Sequence, residues 1–251
     1  MLTHLQKRTI QAIVNVFETG SPVGDYSRVT LLPGDPGHLT YGRSQTTLAS
    51  GNLARLINDY CAAAHGVTAE RLRPYLSRLA AGDVTLDQDA RLRTLLRDAA
   101  SDEAMRQAQD ALFDRAYWDP ALAAAQSLGL QTALGTAVVY DSRIHGAWVR
   151  LRNATTASAG APSVPPCNEH KWISAYITIR HQWLATHANP ILRNTVYRMQ
   201  TFAQLLAASN WDLSLPLIAH GVRIDEASLA ARQSAADHAD LVASDVTRPA
   251  P

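Results

Sequence analysis

The chain lacks several features that would place it in other protein classes. No run of eighteen apolar residues occurs among its 251 residues, so the sequence contains no candidate membrane span. Lysine and arginine total 23 against 22 for aspartate and glutamate, and no long basic run is present. This near-neutral charge argues against a nucleic-acid partner. Cysteine is scarce as well, since Cys61 and Cys167 are the only two, and two free thiols are favoured over a disulfide.

Motifs for several common chemistries are also missing. Neither an H-E-x-x-H motif nor a zinc-spaced Cys/His cluster is present, so no metal and no cofactor is predicted. Gly34 does not belong to a phosphate loop, because no G-K-[ST] follows it. Ser44 and Ser50 lack the G-x-S-x-G context of an acyl-transfer hydrolase. Asp141 and His145 stand four residues apart on a predicted helix, where a buried hydrogen-bonded pair is favoured over a metal site.

The hydrophobic periodicity predicts a mainly helical fold. A hydrophobic content of 47% is enough for a full core in one large domain or in two lobes. One convincing β signal occurs, a hairpin whose strands cover residues 28–32 and 39–41 around a turn at residues 33–38. Residues 153–166 are predicted to be a surface loop. Helices are predicted over residues 3–18, 50–66, 68–82, 87–99, 102–117, 119–129, 130–145, 172–187 and 191–208.

Two carboxylates and a threonine around this hairpin point to glycosidic chemistry. Glu18 closes the first predicted helix, Asp35 lies in the Gly/Pro turn seventeen residues later, and Thr40 follows five residues beyond it. A two-carboxylate glycosidase needs a protonated acid beside the leaving oxygen and a second carboxylate that activates water. A helix end and a hairpin turn can supply these two groups from different parts of a fold. Asp in a turn and Glu near a helix end are also common structural choices.

Five groups of short motifs follow one another along residues 3–220. They are V-F-E at 16–18, G-D-P-G at 34–37 with Thr40, F-D-R-A-Y-W-D-P-A at 113–121, V-Y-D at 139–141 with H-G at 145–146, and N-W-D-L at 210–213 with P-L at 216–217. In this order they resemble the family 46 chitosanases of the lysozyme-like superfamily. The resemblance implies a two-lobed lysozyme-like fold with the active-site cleft beside the hairpin. It also implies one hydrolase domain over residues 1–225, followed by an Ala-rich extension at residues 226–251.

The resemblance assigns roles to individual residues. It implies an inverting hydrolase with Glu18 as general acid, Asp35 as the base for water and Thr40 helping to hold that water. Inversion requires carboxyl groups roughly 6.5–9.5 Å apart. Asp141, Arg180 and Arg198 fall where the family has a buried network linked to the acid, with Arg198 aligned only through a one-residue gap.

Substrate contacts are predicted around the two carboxylates. Tyr26 and Tyr41 are expected to line the cleft, whereas His38 either contacts substrate or is solvated. Asn52 departs from the family, which has an aspartate there that contacts the substrate amine. An amide suits a neutral acetamido sugar better than the ammonium of glucosamine.

Asn52 therefore favours bacterial peptidoglycan as the polysaccharide substrate, in a muramidase-like lytic enzyme or antibacterial effector. The first ten residues also contain no Sec signal peptide. The enzyme is expected to act outside the producing cytoplasm, in the extracellular space or the periplasm of a target cell, and an effector would have an immunity or delivery protein as partner. Chitosan is the alternative substrate, and an inactive carbohydrate-binding relative is the second alternative.

Overall fold

The computed structural model describes residues 2–164 and 167–230. Short 3₁₀ segments at Arg73–Tyr75 and Val84–Gln88 and a π-type segment at Asp114–Trp118 interrupt the α-helices. In chain order, the helices and strands are α1 (His4–Thr19), β1 (Val29–Thr30), β2 (Thr40–Tyr41), β3 (Thr46–Thr47), α2 (Asn52–Ala63), α3 (Val67–Leu72), α4 (Leu76–Ala80), α5 (Ala90–Ala99), α6 (Glu103–Phe113), α7 (Asp119–Ser127), α8 (Ala133–His145), α9 (Trp148–Ala159), α10 (Glu169–Ala185), α11 (Pro190–Arg193), α12 (Tyr197–Ala207), β4 (Leu217–Ala219) and β5 (Val222–Ile224). The predicted mainly helical fold with a small antiparallel sheet is confirmed.

These residues divide into two compact units, of which the first combines the chain up to Val23 with Ala116–Ala230. In this unit α1 begins with a capping box, in which Thr3 and Gln6 satisfy each other's backbone amides. The helix ends where Gly20 adopts φ 75°, a conformation that glycine tolerates without strain. Its predicted apolar stripe is buried, so the end of the helix that carries Glu18 is firmly anchored.

The centre of the first unit is α8, which packs against α1, α7, α10 and α12. Every residue from Ala133 to Ser142 in this helix is buried, as expected for a helix that is apolar on most sides. A charged side chain on this helix, Asp141, is therefore enclosed by protein. Burying a charge is costly unless it is paired, so Asp141 demands a cationic partner.

The second unit, Gly24–Arg115, contains β1–β3 and α2–α6. Its three strands form an antiparallel sheet in the order β1-β2-β3, with Thr40 opposite Thr30 on one side and Thr47 on the other. Leucines of α2, α3 and α5 pack with Leu39 and Tyr41 into one hydrophobic core. This core fixes the strand that follows the Asp35 turn.

Several details of the predicted fold are wrong. The sheet has a third strand, β3, and a second hairpin formed by β4 and β5 was not predicted, because strands of two or three residues are too short to show alternation. Residues 153–159, predicted as loop, belong to α9. Residues 153–159 are all Asn, Ala, Thr or Ser, but Trp148, Leu151 and Thr155 are buried at helical spacing. Residues 231–251, most of the predicted extension, lie outside the described part of the chain.

Cys61 and Cys167 are free and buried, and they belong to different units. No helix in residues 2–164 and 167–230 combines the length and hydropathy needed to cross a membrane.

Candidate active site

Glu18 lies in the last turn of α1 and is bound by one buried arginine. Arg198 on α12 donates from Nη2 to Glu18 Oε1 at 2.8 Å and from Nη1 to Asp141 Oδ1 at 2.8 Å. The side chain of Glu18 is 45% exposed, whereas those of Arg198 and Asp141 are 3% and 0% exposed. The structure thus brings three predicted residues together, with a carboxylate at each end of one guanidinium. Among the described contacts, Glu18 Oε2 accepts no hydrogen bond.

Asp141 makes the burial of Arg198 possible. Burial opposes the charge of the guanidinium, but Asp141 and then Glu18 outweigh it and raise the pKa of Arg198. Arg198 is therefore a fixed cation, and its charge is shared between two carboxylates. A carboxylate that shares its cation is held less strongly than one with a cation of its own. Glu18 is oriented by Arg198 without being its exclusive counter-ion.

Arg180, predicted to join the same network, has different partners. It donates to the carbonyl of Gly146 at 2.8 Å and to His145 Nδ1 at 3.0 Å. Because a guanidinium only donates, Nδ1 must accept, and a neutral His145 carries its proton on Nε2. Burial, followed by the charges of Arg198 and Arg180, lowers the pKa of His145 to about 4. The predicted pairing of Asp141 with His145 is therefore wrong, since each residue is bonded to a different arginine.

Asp35 occupies a turn whose shape its own side chain stabilises. Its Oδ1 accepts the backbone N–H of Gly37 at 2.8 Å, the Asx geometry that favours aspartate in turns. Backbone bonds from Asp35 to Leu32 and from His38 to Asp35, both 3.1 Å, close the turn on either side. Within the described residues Asp35 Oδ2 accepts no hydrogen bond. One oxygen fixes the loop and the other is available for chemistry.

Asp87 braces the same loop and was missed as a site residue. Its Oδ1 accepts the N–H of Leu39 at 2.9 Å, and its Oδ2 lies 2.8 Å from His38 Nδ1. The side chain of Asp87 is only 14% exposed, whereas His38 is 36% exposed. The sequence showed Asp87 only as a helix start, and no local signal relates it to a turn almost fifty residues earlier. His38 is thus held by a carboxylate, and its contact with substrate stays a prediction.

Thr40 follows on β2 and is 6% exposed. Its hydroxyl donates to the carbonyl of His38 at 3.0 Å, which leaves the lone pairs of Oγ1 as acceptors. Asn52, the first residue of α2, is exposed. The exposed amide of Asn52 can therefore meet a sugar or a water molecule, whereas Thr40 is largely buried and its contact with water stays a prediction.

The two tyrosines predicted to line a cleft belong to the interior. Tyr41 has no exposed surface and packs in the hydrophobic core of the second unit. Tyr26 is 7% exposed, and its hydroxyl donates to Asp110 Oδ1 at 2.8 Å. The prediction of Tyr41 as a substrate residue is wrong, because a side chain without accessible area cannot touch a polymer. Proximity to a carboxylate in sequence did not show which way either ring faces.

The chemistry of these residues defines a class of enzyme. A half-exposed glutamate oriented by a buried arginine suits a proton donor, and a loop aspartate with a free oxygen suits a base for water. An O-glycosyl hydrolase of the two-carboxylate kind requires one residue of each kind. The chain belongs to glycosyl hydrolase family 46, whose sequence model matches residues 12–217. The family resemblance is confirmed.

Individual relatives agree with this assignment. A chitosanase of Bacillus subtilis (strain 168) is 28% identical over 226 residues, which cover 84% of this chain and 80% of the relative. A family 46 chitosanase of Gynuella sunshinyii, in complex with chitotetraose, is 26% identical with a TM-score of 0.67, covering 89% of this chain and 98% of that one. A mutant chitosanase of Bacillus subtilis MY002, complexed with 6 GlcN, is 26% identical with a TM-score of 0.67, covering 90% and 100%. These relatives favour the chitosanase alternative over the predicted peptidoglycan activity.

Proposed function

We propose that the protein is an endo-acting chitosanase that hydrolyses β-1,4 bonds between glucosamine units with inversion. The family match carries the proposal, because it spans both carboxylates. Two structures similar to this chain hold chitosan oligosaccharides, which supports the choice of substrate. A polymer of this kind is met outside the producing cell, so we place the action of the enzyme there.

Glu18 serves as the general acid. Its Oε1 is bonded to Arg198, so the proton for the leaving oxygen resides on Oε2, on a side chain that is half exposed. Arg198 binds Asp141 through Nη1 and Glu18 through Nη2, so one buried guanidinium, held in place by a second carboxylate, fixes the direction of the acid.

Asp35 serves as the base that activates water. Its Oδ1 is committed to the turn, so Oδ2 takes the proton of the attacking water. Thr40 Oγ1 donates to the His38 carbonyl and accepts the other hydrogen of that water. Positioning the water by two acceptors matches the need for a directed lone pair in a single-displacement reaction.

Peptidoglycan is the second candidate substrate, and Asn52 is the observation that favours it. The exposed amide carries no charge with which to bind a glucosamine ammonium, and it suits an N-acetylated sugar. In that case the enzyme would act on cell walls, and an immunity or delivery protein would be its partner.

The deciding experiment digests a chitosan hexamer and purified bacterial sacculi side by side and follows the products by mass spectrometry and proton NMR. We expect wild type to cleave the hexamer internally and to release products of inverted anomeric configuration. Glu18→Gln and Asp35→Asn should each lower turnover by about 10²–10⁴-fold, because neither amide can transfer the required proton. Glu70→Gln, an exposed glutamate paired with Arg73, is the matched control and should keep the wild-type rate.

The possible results separate the hypotheses. Release of muropeptides from sacculi with an intact hexamer would establish the second candidate. Binding of either polymer without cleavage would indicate a carbohydrate-binding relative. Wild-type turnover in Glu18→Gln would remove that residue from the proposed mechanism.

A further inference from the structure

The backbone carbonyl of Phe17, which precedes Glu18, accepts hydrogen bonds from two side chains. The last carbonyls of a helix have no partner within the helix and need one elsewhere. Phe17 O, in the last turn of α1, accepts from the hydroxyl of Tyr197 at 2.8 Å and from Arg198 Nη2 at 3.5 Å. Two adjacent residues of α12 therefore bind the backbone and the side chain of the turn that carries the acid.

Tyr197 is itself held by the hairpin of β4 and β5. The imidazole of His220 stacks on the tyrosine ring, with centroids 3.9 Å apart and an angle of 24° between planes. The Tyr197 ring also contacts the ring of Phe17 edge-on, with ring centroids 5.8 Å apart. His220 occupies the hairpin turn at φ 45°, and its backbone N–H donates to Thr201 Oγ1 on α12 at 3.3 Å. The hairpin also packs beside α1.

We propose that Tyr197 and His220 are positioning residues for Glu18. Stacking on His220 fixes the position of the Tyr197 ring. The Tyr197 hydroxyl then fixes the end of α1 through its bond to Phe17 O. Among the described contacts, the carboxylate of Glu18 has a single hydrogen bond, to Arg198, and nearly half of its side chain is exposed. Its direction therefore depends on the backbone from which it projects as well as on Arg198. This inference rests on the proposed role of Glu18 as general acid.

A misplaced general acid should lower the rate of catalysis without weakening substrate binding. Sugar binding depends on contacts along the polymer, whereas proton transfer depends on the distance between one oxygen and the leaving group. A shift of about 1 Å in a reacting group can cost as much as 10²-fold in rate. Loss of the positioning contacts should thus lower kcat and leave KM nearly constant. A merely structural role would lower the unfolding temperature without that selective effect.

The experiment uses two variants that remove one contact each. Tyr197→Phe deletes the hydroxyl and keeps the ring. His220→Asn deletes the ring and keeps a residue type that tolerates positive φ. The matched control is His170→Asn, because His170 is another exposed histidine stacked on an aromatic ring, that of Trp211 at 3.7 Å.

Two readouts are taken: kcat and KM on the chitosan hexamer, and amide hydrogen exchange of residues 17–20 without substrate. We expect each variant to lower kcat about tenfold with KM within about twofold. Exchange in the last turn of α1 should rise several-fold in both variants and stay unchanged in His170→Asn. The double variant should lose less than the product of the two single losses, because both changes disable the same support.

The outcomes keep this inference separate from the proposed function. Unchanged exchange in Tyr197→Phe and His220→Asn overturns the positioning role, and so does faster exchange with an unchanged kcat. If wild type fails to cleave the hexamer, the proposed function fails. The exchange measurement then still decides whether Tyr197 and His220 fix the end of α1, because it needs no substrate.

Discussion

The two proposed catalytic carboxylates are supported by different physical means. Glu18 projects from a long, well-packed helix and is held through its side chain by the buried guanidinium of Arg198. Asp35 projects from a loop and is held mainly by backbone geometry, through its own Asx turn and through the bonds that Asp87 makes to neighbouring residues. Glu18 is thus supported by a buried charge, and Asp35 by the hydrogen bonds of a local turn.

This difference follows from what each residue must do. A general acid gives a proton to one particular oxygen, so it must be held in one direction, and the buried pair of Arg198 and Asp141 holds Glu18 there. A base for water remains ionised until it acts, so it needs only a fixed direction. A turn supplies that direction without a buried charge. We therefore expect changes near Glu18 to affect stability and pH dependence, and changes near Asp35 to affect mainly geometry.

The largest effect on stability should come from Asp141. Asp141→Ala leaves a buried Arg198 with Glu18 as its only carboxylate partner, and breaking a buried pair typically costs about 3–5 kcal/mol. Asp141→Asn keeps an acceptor at the same place and should cost less. Urea unfolding of both variants measures the difference. A cost below about 1 kcal/mol for the alanine variant would show that Arg198 does not depend on this buried counter-ion.

A slightly smaller effect, in pH dependence, should come from His145. Its pKa is lowered from 6.5 to about 4 by burial and by Arg198 and Arg180. Between these values the unfolded chain binds a proton that the folded chain does not, so stability is complete above pH 6.5 and is lost as the pH falls towards 4. The pKa difference corresponds to about 3.4 kcal/mol, and solvent screening at this partly exposed residue lowers the expected loss to about 2–3 kcal/mol.

His145→Asn removes the titrating group and offers its amide oxygen to Arg180 in place of Nδ1. The unfolding free energy, measured by urea at several pH values, should then change less steeply between pH 6.5 and 4 than in wild type. At pH 8 the imidazole of His145 is neutral in both the folded and the unfolded chain. A difference in unfolding free energy between wild type and variant at that pH therefore reports packing alone. An unaltered slope would assign the acid sensitivity to other groups.

At the loop that carries Asp35, we expect a smaller loss of stability and a more selective loss of activity. Asp87→Ala removes acceptors from the N–H of Leu39 and the ring of His38, which should cost about 1–3 kcal/mol of stability. Turnover should fall further than stability explains, because the Asp35 loop loses its brace. Asp98→Ala, an exposed aspartate in the same unit, serves as control. Equal turnover in the two variants would refute the bracing role of Asp87.

The local structure around both carboxylates could be predicted from the sequence. The helix of Glu18 has a cap at Thr3, an apolar stripe and a terminal Gly20, so local chemistry defines both of its ends. The Asp35 turn is likewise written into a Gly/Pro-rich segment. Both depend on neighbours in sequence, and both were predicted.

The remaining features depend on residues distant in sequence. Arg198 could be aligned only across a gap, yet it is the side chain that contacts both Glu18 and Asp141, whereas Arg180 has other partners. Tyr41 was expected near substrate, because a two-residue strand does not show which face points inward. Asp87 gave no signal of its contacts with His38 and Leu39, since these arise only when the chain folds back. Long-range pairing, not propensity, limited the prediction.

The smallest expected effect concerns substrate choice at Asn52. This residue is exposed at the first position of α2, where an added negative charge is also favoured by the helix dipole, so Asn52→Asp should fold normally. The new carboxylate should bind a glucosamine ammonium by a charge-assisted bond, which is about twice as strong as a neutral one. The N-acetylated polymer for comparison is partly acetylated chitosan or sacculi. We expect the ratio of the rate on fully deacetylated chitosan to the rate on the N-acetylated polymer to rise about two- to fivefold, as for an exposed ion pair worth up to about 1 kcal/mol. Asn58→Asp introduces the same charge on the same helix and should leave the ratio unchanged, because residue 58 lies on a different face of α2. Raising the salt concentration should shrink the gain of Asn52→Asp towards the control. An equal shift in both variants would mean that overall charge attracts the polymer and that Asn52 makes no specific contact with the sugar.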